Sequence, residues 1–550
     1  MRLLKKYWLP LLIFFVCLLL YLPSILNGLT YFDDYTLLVK NKSFISSGGN
    51  LIKSFTEDVF ISNADMYYRP ILTITFIVDT ILGNGSTWFY HLSNIFLHAL
   101  CCMSVFYLLV SFGYKKRPSF FATILFAIHP VLVPGVTWIP GRNDTLLALF
   151  SLLSIALFIR EAKNDQRYFF LLHSLLFILA MFTKETAVVI IPVCLVYYFL
   201  VVKKKNIANL LPYFVVWFLT VAVWWLIRKV VLVYFSTNPS EYFLKAGIAN
   251  LPSLLQYFGK VFFPFNLTPL PTIIDTNYLY GFVSLVIFLF VCTRYPDRKR
   301  FVVFGFFWFL IFLIPSLFTH NFSLKIGSDY MLEHRLYIPL VGVLISLMEL
   351  PFFRTLKVGL NRRFLAYSMV VVLFVLTSLR YQLVFRDRVS FWSAAAKGSP
   401  KFAFAHLHLA EAYAVNRDYT RSMTETKKVL ELDPLILNLH NLTGYLYMAE
   451  DKYDEAESEF LQEINIHPNY LDAYMNMGIL RNKQKQYDEA VSWWLKVVEV
   501  NPYQVRAYYY LAINSYRQGK NEEATMYLNK LRDMGYPVHE QFLKDIEKQI

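Results

Sequence analysis

Cysteine is scarce in this sequence: five residues in 550, Cys17, Cys101, Cys102, Cys194 and Cys292. All five fall within apolar runs. None has CxxC spacing or a polar histidine–cysteine neighbourhood, so neither a zinc site nor a disulfide framework is expected. Charge is sparse as well, at 17% of residues against about a quarter in ordinary soluble domains. With 56% hydrophobic residues, 18% aromatics and a mean hydropathy of +0.42, an ordinary soluble enzyme is excluded and a polytopic membrane protein indicated. A small-residue cleavage site is also missing after the first apolar run: "YLPSILNG" is a poor one, so residues 8–26 are read as a retained span with a cytoplasmic N-terminus.

What is present in excess is positive charge, +14 overall. Its distribution argues against nucleic acid as a partner. From Pro400 onward there are 17 Lys/Arg and 22 Asp/Glu, whereas the first 399 residues hold 36 basic and 17 acidic groups. The surplus therefore belongs to the hydrophobic part. Apolar runs of spanning length lie at roughly 8–26, 87–112, 118–134, 143–160, 168–183, 185–202, 208–232, 279–293, 301–318, 335–350 and 364–380, which makes eleven. Six short segments hold 20 of the 36 basic residues: "RLLKK", "KKR" at 115–117, "REAKNDQR", "KKK" at 203–205, "RYPDRKR" and "RTLKVGLNRR". They alternate with longer, less basic loops, as the positive-inside rule requires. An odd number of spans puts the C-terminal third on the outer side.

That third is a repeat. Pro400, Pro434, Pro468 and Pro502 are each 34 residues apart, and Ala410, Gly444, Gly478 and Ala512 keep the same register. Tyr419, Tyr453 and Tyr487 recur in the turn, and Ala456, Ala490 and Ala524 in the following helix. This is the tetratricopeptide period, in which small residues let paired helices approach. Residues 400–550 are expected to form about four repeats, with "HEQFLKDIEKQI" as a capping helix, after a linker at 386–399 and a membrane domain at 1–385. Such arrays bind extended peptides or partner helices; a spacer or oligomerisation module is the plainer reading.

With this orientation the polar residues of the membrane part gather on the outer face. Asp33 and Asp34 stand in the first outer loop, with Arg69 at its far end. His91 and, two turns further along, His98 follow in the second span. "HPVLVPGVTWIPGRND" brings His129, Arg142 and Asp144, "FTKET" brings Lys184 and Glu185, and "EHR" brings Glu333, His334 and Arg335. Each has a plainer role: Lys184 and Arg335 as snorkelling cations, the histidines as packing groups, "ND" as a helix cap. No carboxylate sits at ligand spacing to the histidines, so no metal is expected. Acidic and basic clusters on one membrane face point to function. The fitting chemistry is sugar transfer from a lipid phosphate: the leaving phosphate needs cations rather than a general acid, and one carboxylate suffices to deprotonate an acceptor hydroxyl. A glycosidase would need two carboxylates across the bond.

"FDDYTLLVKN", "YRPILTITFIVD", "WFYHLSNIFLHAL", "FAIHPVLVPGVTWIPGRNDTLLALF", "FTKETAVVIIP" and "EHRLYIPLVG", followed by tetratricopeptide repeats, resemble the transmembrane-and-tetratricopeptide O-mannosyltransferase family and its bacterial relatives. The resemblance implies an all-α GT-C glycosyltransferase domain followed by an α-solenoid. It implies a polyprenyl-phosphate sugar donor, with mannose the expected sugar, and Ser/Thr hydroxyls of exported proteins as acceptors; no further cofactor is required. Carried over, Asp33 is the favoured base with Asp34 beside it. His91, Arg142, Lys184, Glu333 and Arg335 match the family's other outer-loop positions; donor-phosphate binding is the role expected, from charge, of the basic ones, and Arg69 and His334 are grouped with them at that site. The expected location is a bacterial inner membrane with the repeats periplasmic, or the endoplasmic reticulum with the repeats luminal. Transfer to a lipid-linked or surface glycan, and a non-enzymatic membrane scaffold, remain open.

Overall fold

The computed structural model describes residues 2–61, 67–164, 166–203, 206–232, 239–294, 299–318, 331–354, 356–359 and 361–536. Among them every regular element is a helix. The chain divides into two compact units, 1–400 and 401–550.

Among the described residues of the first unit, seven helices are long and apolar enough to cross a membrane: Trp8–Leu26, Thr87–Ser111, Ile139–Asn164, Glu185–Val202, Ile207–Val231, Lys299–Leu317 and Arg362–Phe385. An eighth is a broken one, Lys116–Ala127 plus Pro130–Thr137, bent by 56°. The bend has a local cause. Pro130 disfavours helical geometry at the residue before it, and His129 is accordingly extended at φ −67°, ψ 124°. Three of the eleven expected spans hold helices too short to cross a membrane unaided. Arg167–Met181 and Leu279–Arg294 have 15 and 16 residues, about 22–24 Å of helix against a hydrocarbon core of about 30 Å. Residues 335–350 hold only the nine-residue helix Pro339–Leu347. An additional apolar helix, Pro70–Leu82, was not anticipated.

The Lys299–Leu317 and Pro339–Leu347 helices meet through glycines. A methyl group on Gly305 would stand 2.4 Å from the Gly342 carbonyl oxygen, and one on Gly342 would stand 2.4 Å from that of Gly305. The contact is backbone against backbone, the close approach that small residues permit in membrane bundles. It fixes the start of the short helix and, with it, the turn that carries Glu333–Leu336.

Residues 386–399, expected as a linker, hold the helix Arg388–Gly398, capped by Asp387, whose carboxylate accepts from Ser390 N–H at 2.8 Å. Phe391 and Trp392 on it are buried and pack on Phe32, with ring centroids 6.2 and 5.5 Å away. Ser399 donates to the Leu270 carbonyl at 2.8 Å. This segment belongs to the first unit.

The described residues of the second unit form four helix pairs, whose second helices begin at Tyr419, Tyr453, Tyr487 and Asn521, 34 residues apart. The small-residue position reads out what faces it. Gly444 and Gly478 leave room for aromatic rings, since a methyl there would lie 2.7 Å from Phe460 and 2.2 Å from Trp494. Sixteen residues after Ala410 and Ala512, the equivalent positions carry Thr426 and Leu528, and there alanine fits. Arg417, Asp451, Lys485 and Gly519 share a positive φ of 58–73° in the turn between the helices, a geometry that only glycine adopts without cost. The expected capping helix lies outside the described residues.

Candidate functional site

The Thr87–Ser111 and Arg142–Asn164 helices pack together at the centre of the first unit, and loops from both halves of the sequence close over one end of the bundle. They enclose a cavity of about 470 Å³. Asp33, Arg69, Asp144, Lys184, Glu185, His334 and Arg335 line it, together with Phe32, Tyr67, Trp138 and Asn143. Five of the nine residues predicted for the site are therefore brought to one wall-to-wall space, with two carboxylates from the same motifs.

The ionic order inside is definite. Arg69 forks onto Glu185, Nη2 to Oε1 at 2.7 Å and Nε to Oε2 at 3.3 Å, which ties the loop before the Pro70–Leu82 helix to the start of the Glu185–Val202 helix. Lys184 donates to Asp144 at 2.8 Å, and His334 Nε2 lies 3.5 Å from the other oxygen of the same carboxylate. Arg335 reaches the Ser316 carbonyl at 3.5 Å.

The adjacent aspartates have opposite fates. Asp34 turns inward, 1% exposed, and accepts from Thr30 N–H at 2.6 Å, the Thr30 hydroxyl at 3.0 Å and Phe32 N–H at 3.0 Å. Trp138 N–H in turn donates to that threonine hydroxyl at 3.1 Å. Asp34 thus ties the loop in a tight knot, and the loop presents Asp33 to the cavity. Burial pushes the Asp33 carboxyl up to about 7, the charge of Asp34 adds to the rise, and Arg69 opposes it. At neutral pH Asp33 is about half ionised, the condition suited to a general base. Burial raises Asp34 too, against the pull of its hydrogen bonds.

Four predicted site residues are absent from the cavity wall. His91 is buried against the backbone of Asn27 and Gly28. Asp34 is in its knot. Arg142 is fully buried: it pairs with Asp79 at 2.6 Å, donates to Asn94 Oδ1 at 2.6 Å and the Tyr90 carbonyl at 2.9 Å, and stacks 4.8 Å from the Phe76 ring centre. Glu333 is buried too, bonded to Lys260, to Thr268 N–H at 3.2 Å and to the Tyr381 hydroxyl at 2.9 Å. A fully desolvated charge with a protein partner has little left for a ligand, so Arg142 and Glu333 hold the walls together. Their partners, Asp79 and Lys260, escaped the sequence reading. Each is a lone charge in an apolar run, "FIVDT" and "FGKVF", which is the signal that was there to use.

Residues 73–227 match the family model described as dolichyl-phosphate-mannose-protein mannosyltransferase. A Caenorhabditis elegans protein O-mannosyl-transferase, F38B6.6, is 33% identical over 30% of this chain and 24% of its own length. The mouse protein O-mannosyl-transferase TMTC4 is 31% identical over 34% of this chain and 28% of its own. Its relatives are protein O-mannosyl-transferases. The resemblance is thus shown by direct comparison over about a third of the chain, which spans about a quarter of the length of these two relatives. Among solved structures, a repeat protein titled "YrrB: a TPR protein with an unusual peptide-binding site" aligns with 34% of this chain and 91% of its own, at 19% identity and a TM-score of 0.25.

The stretch shared with the mannosyltransferase model includes His91, Arg142, Asp144, Lys184 and Glu185. Asp33, Arg69, His334 and Arg335 fall outside it. All five cysteines are free thiols, and one polar histidine–cysteine neighbourhood is present that the sequence did not show. Cys17, His98 and Cys102 come together in the bundle, their ligand atoms within 4.8 Å of one another. His98 and Cys102 are one helical turn apart, a pairing that the search for carboxylates at ligand spacing passed over.

Proposed function

We propose that this chain is a membrane glycosyltransferase that moves mannose from a polyprenyl-phosphate donor to a Ser/Thr hydroxyl of an exported protein, with inversion at the anomeric carbon. The observation that carries this reading is the single cavity in which the half-buried carboxylate Asp33 shares walls with Arg69, Lys184, His334 and Arg335. The donor is a phosphodiester with one negative charge. As its anomeric C–O bond breaks, a second charge develops on the departing phosphate, and cations fixed beforehand around it stabilise that change without reorganising. Arg335 and Lys184 fill this role. Asp33 takes the proton of the acceptor hydroxyl as its oxygen bonds to the anomeric carbon from the opposite side. Every atom is accounted for: the sugar is transferred, the lipid phosphate leaves as an anion, and Asp33 holds the proton.

The repeat unit recruits the protein acceptor, a role consistent with the general use of such arrays. The alternation of basic segments supports a reading in which the cavity and the repeats lie on the outer side of a bacterial inner membrane. The test uses purified full-length protein in nanodiscs, radiolabelled polyprenyl-phosphate mannose and a Ser/Thr-rich peptide. Asp33→Asn is expected to reduce transfer by about 10²–10⁴-fold, the usual contribution of a general base, with donor binding retained. Full activity in Asp33→Asn, or no transfer by the wild type to any hydroxyl acceptor, refutes the proposal.

A further inference from the structure

The Cys17–His98–Cys102 cluster lies outside the cavity and outside the proposed chemistry. Two helices build it. Cys17 and Tyr21 are one turn apart on Arg2–Tyr21, and His98 and Cys102 one turn apart on Thr87–Ser111. All four side chains are fully buried. The Tyr21 and His98 rings meet edge-on at 5.0 Å. His98 Nδ1 and the Tyr337 hydroxyl are 2.5 Å apart, and this bond orients the ring so that Nε2 lies 3.6 Å from Cys102 Sγ and 3.1 Å from the Ala127 carbonyl.

We infer that this cluster binds a thiophilic d¹⁰ metal ion, zinc(II) by preference, through the two thiolates and His98 Nε2. Three observations support it. First, tetrahedral zinc with Zn–S of about 2.3 Å and Zn–N of about 2.0–2.1 Å requires S···N edges of about 3.6 Å, the separation found between Cys102 and His98. The remaining separations, at most 4.8 Å, exceed an S···S edge of about 3.8 Å by an amount that side-chain rotation can close. Second, His98 already has the outer partner that metal-bound histidines use. In this structure Nε2–H donates to the Ala127 carbonyl at 3.1 Å; the metal replaces that proton, leaves the carbonyl oxygen at hand as the fourth ligand, and reverses the other bond so that Nδ1–H donates to the Tyr337 oxygen. Third, the Tyr21 hydroxyl is buried with no hydrogen-bond partner among the described residues. Packing alone leaves that donor orphaned, at a cost of about 1–3 kcal/mol; a metal-bound thiolate beside it would be a strong acceptor.

Charge selects the ion. Zinc displaces two thiol protons, and the resulting site of one dication, two thiolates and a neutral imidazole carries no net charge, as a low-dielectric bundle requires. Copper(I) with both thiolates carries one negative charge. The ion would pin the first span to the second, and through Tyr337 it would brace the turn that bears His334 and Arg335.

The test is elemental analysis of full-length protein purified in detergent from cells supplied with zinc or with copper. The expected result is about one zinc per chain, retained through EDTA dialysis because the site is enclosed, and released on denaturation. Cys17→Ser and Cys102→Ser should each lose at least about nine-tenths of it, and Cys292→Ser none. One copper per chain with the same dependence keeps the site and changes its ion. Should the serine variants fail to fold, cobalt substitution of the wild type reads the same question, through a thiolate-to-cobalt charge-transfer band in the near ultraviolet. Less than about a tenth of an equivalent of either metal in the wild type, metal unaffected by both folded variants, or a Cys17–Cys102 disulfide in the metal-free protein by intact mass overturns the inference.

Discussion

If Asp33 is the base, the acid limb of the rate profile should sit at an unusual pH for a carboxylate. An ordinary aspartate, near 3.9, is more than about nine-tenths ionised at pH 5, and a base with that value would show a flat profile from there upward. Burial and the charge of Asp34 push Asp33 up to about 7. A base acts deprotonated, so a raised value means that activity is lost as pH falls through it. At pH 6 about a tenth of Asp33 is ionised and at pH 5 about a hundredth, and kcat/KM, which reports the free enzyme, should fall by the same factors. The donor phosphodiester stays singly charged throughout and contributes no slope. Radiolabel transfer at subsaturating donor, measured between pH 5 and 8.5, gives the profile. Asp34→Asn supplies the second arm. It removes the repelling charge but leaves the burial, so the limb should move to lower pH without reaching the ordinary range. A flat wild-type profile down to pH 5 refutes the assignment of Asp33 as a buried base, as does a limb that Asp34→Asn shifts upward.

Arg335→Ala, which removes a cavity cation, should weaken donor binding by about 10-fold or more, measured by equilibrium binding of the labelled lipid, with the thermal transition unchanged. Arg142→Ala should act in the reverse manner. It strands the Asp79 carboxylate inside the bundle and should destabilise the protein by about 3–5 kcal/mol, visible as a lowered melting temperature in detergent. In the repeat unit, Gly478→Ala places a methyl 2.2 Å from the Trp494 indole and should cost about 1–3 kcal/mol by overpacking. The equivalent Ala512→Gly opens space and should show a smaller loss, both followed by helical circular dichroism against urea.

The repeat unit was legible because its information is local and periodic. The register of small residues and turn tyrosines at 34 residues states which helix faces which, and the helices begin where that register puts them. The membrane character was legible for a similar reason, since hydropathy acts over one continuous window. Span lengths were less so. The short Pro339–Leu347 helix and the bend before Pro130 are set by backbone geometry, inside stretches whose apolar composition continues.

At the site, the sequence by itself determined which loop motifs carry charge, and five of the nine named residues share one cavity. It could not separate Asp33 from Asp34, or Arg335 from Arg142. Neighbouring residues of the same type look alike until the fold decides which is desolvated against a partner and which faces open space. That decision belongs to contacts far apart in the chain: Trp138 and Thr30 turning Asp34 inward, Asp79 claiming Arg142, and Lys260 claiming Glu333. The same holds for Phe391 and Trp392, which read as linker and fold as the support of Phe32 beside Asp33. Periodicity and hydropathy are written along the chain, whereas desolvation and pairing are set by neighbours that only tertiary structure supplies.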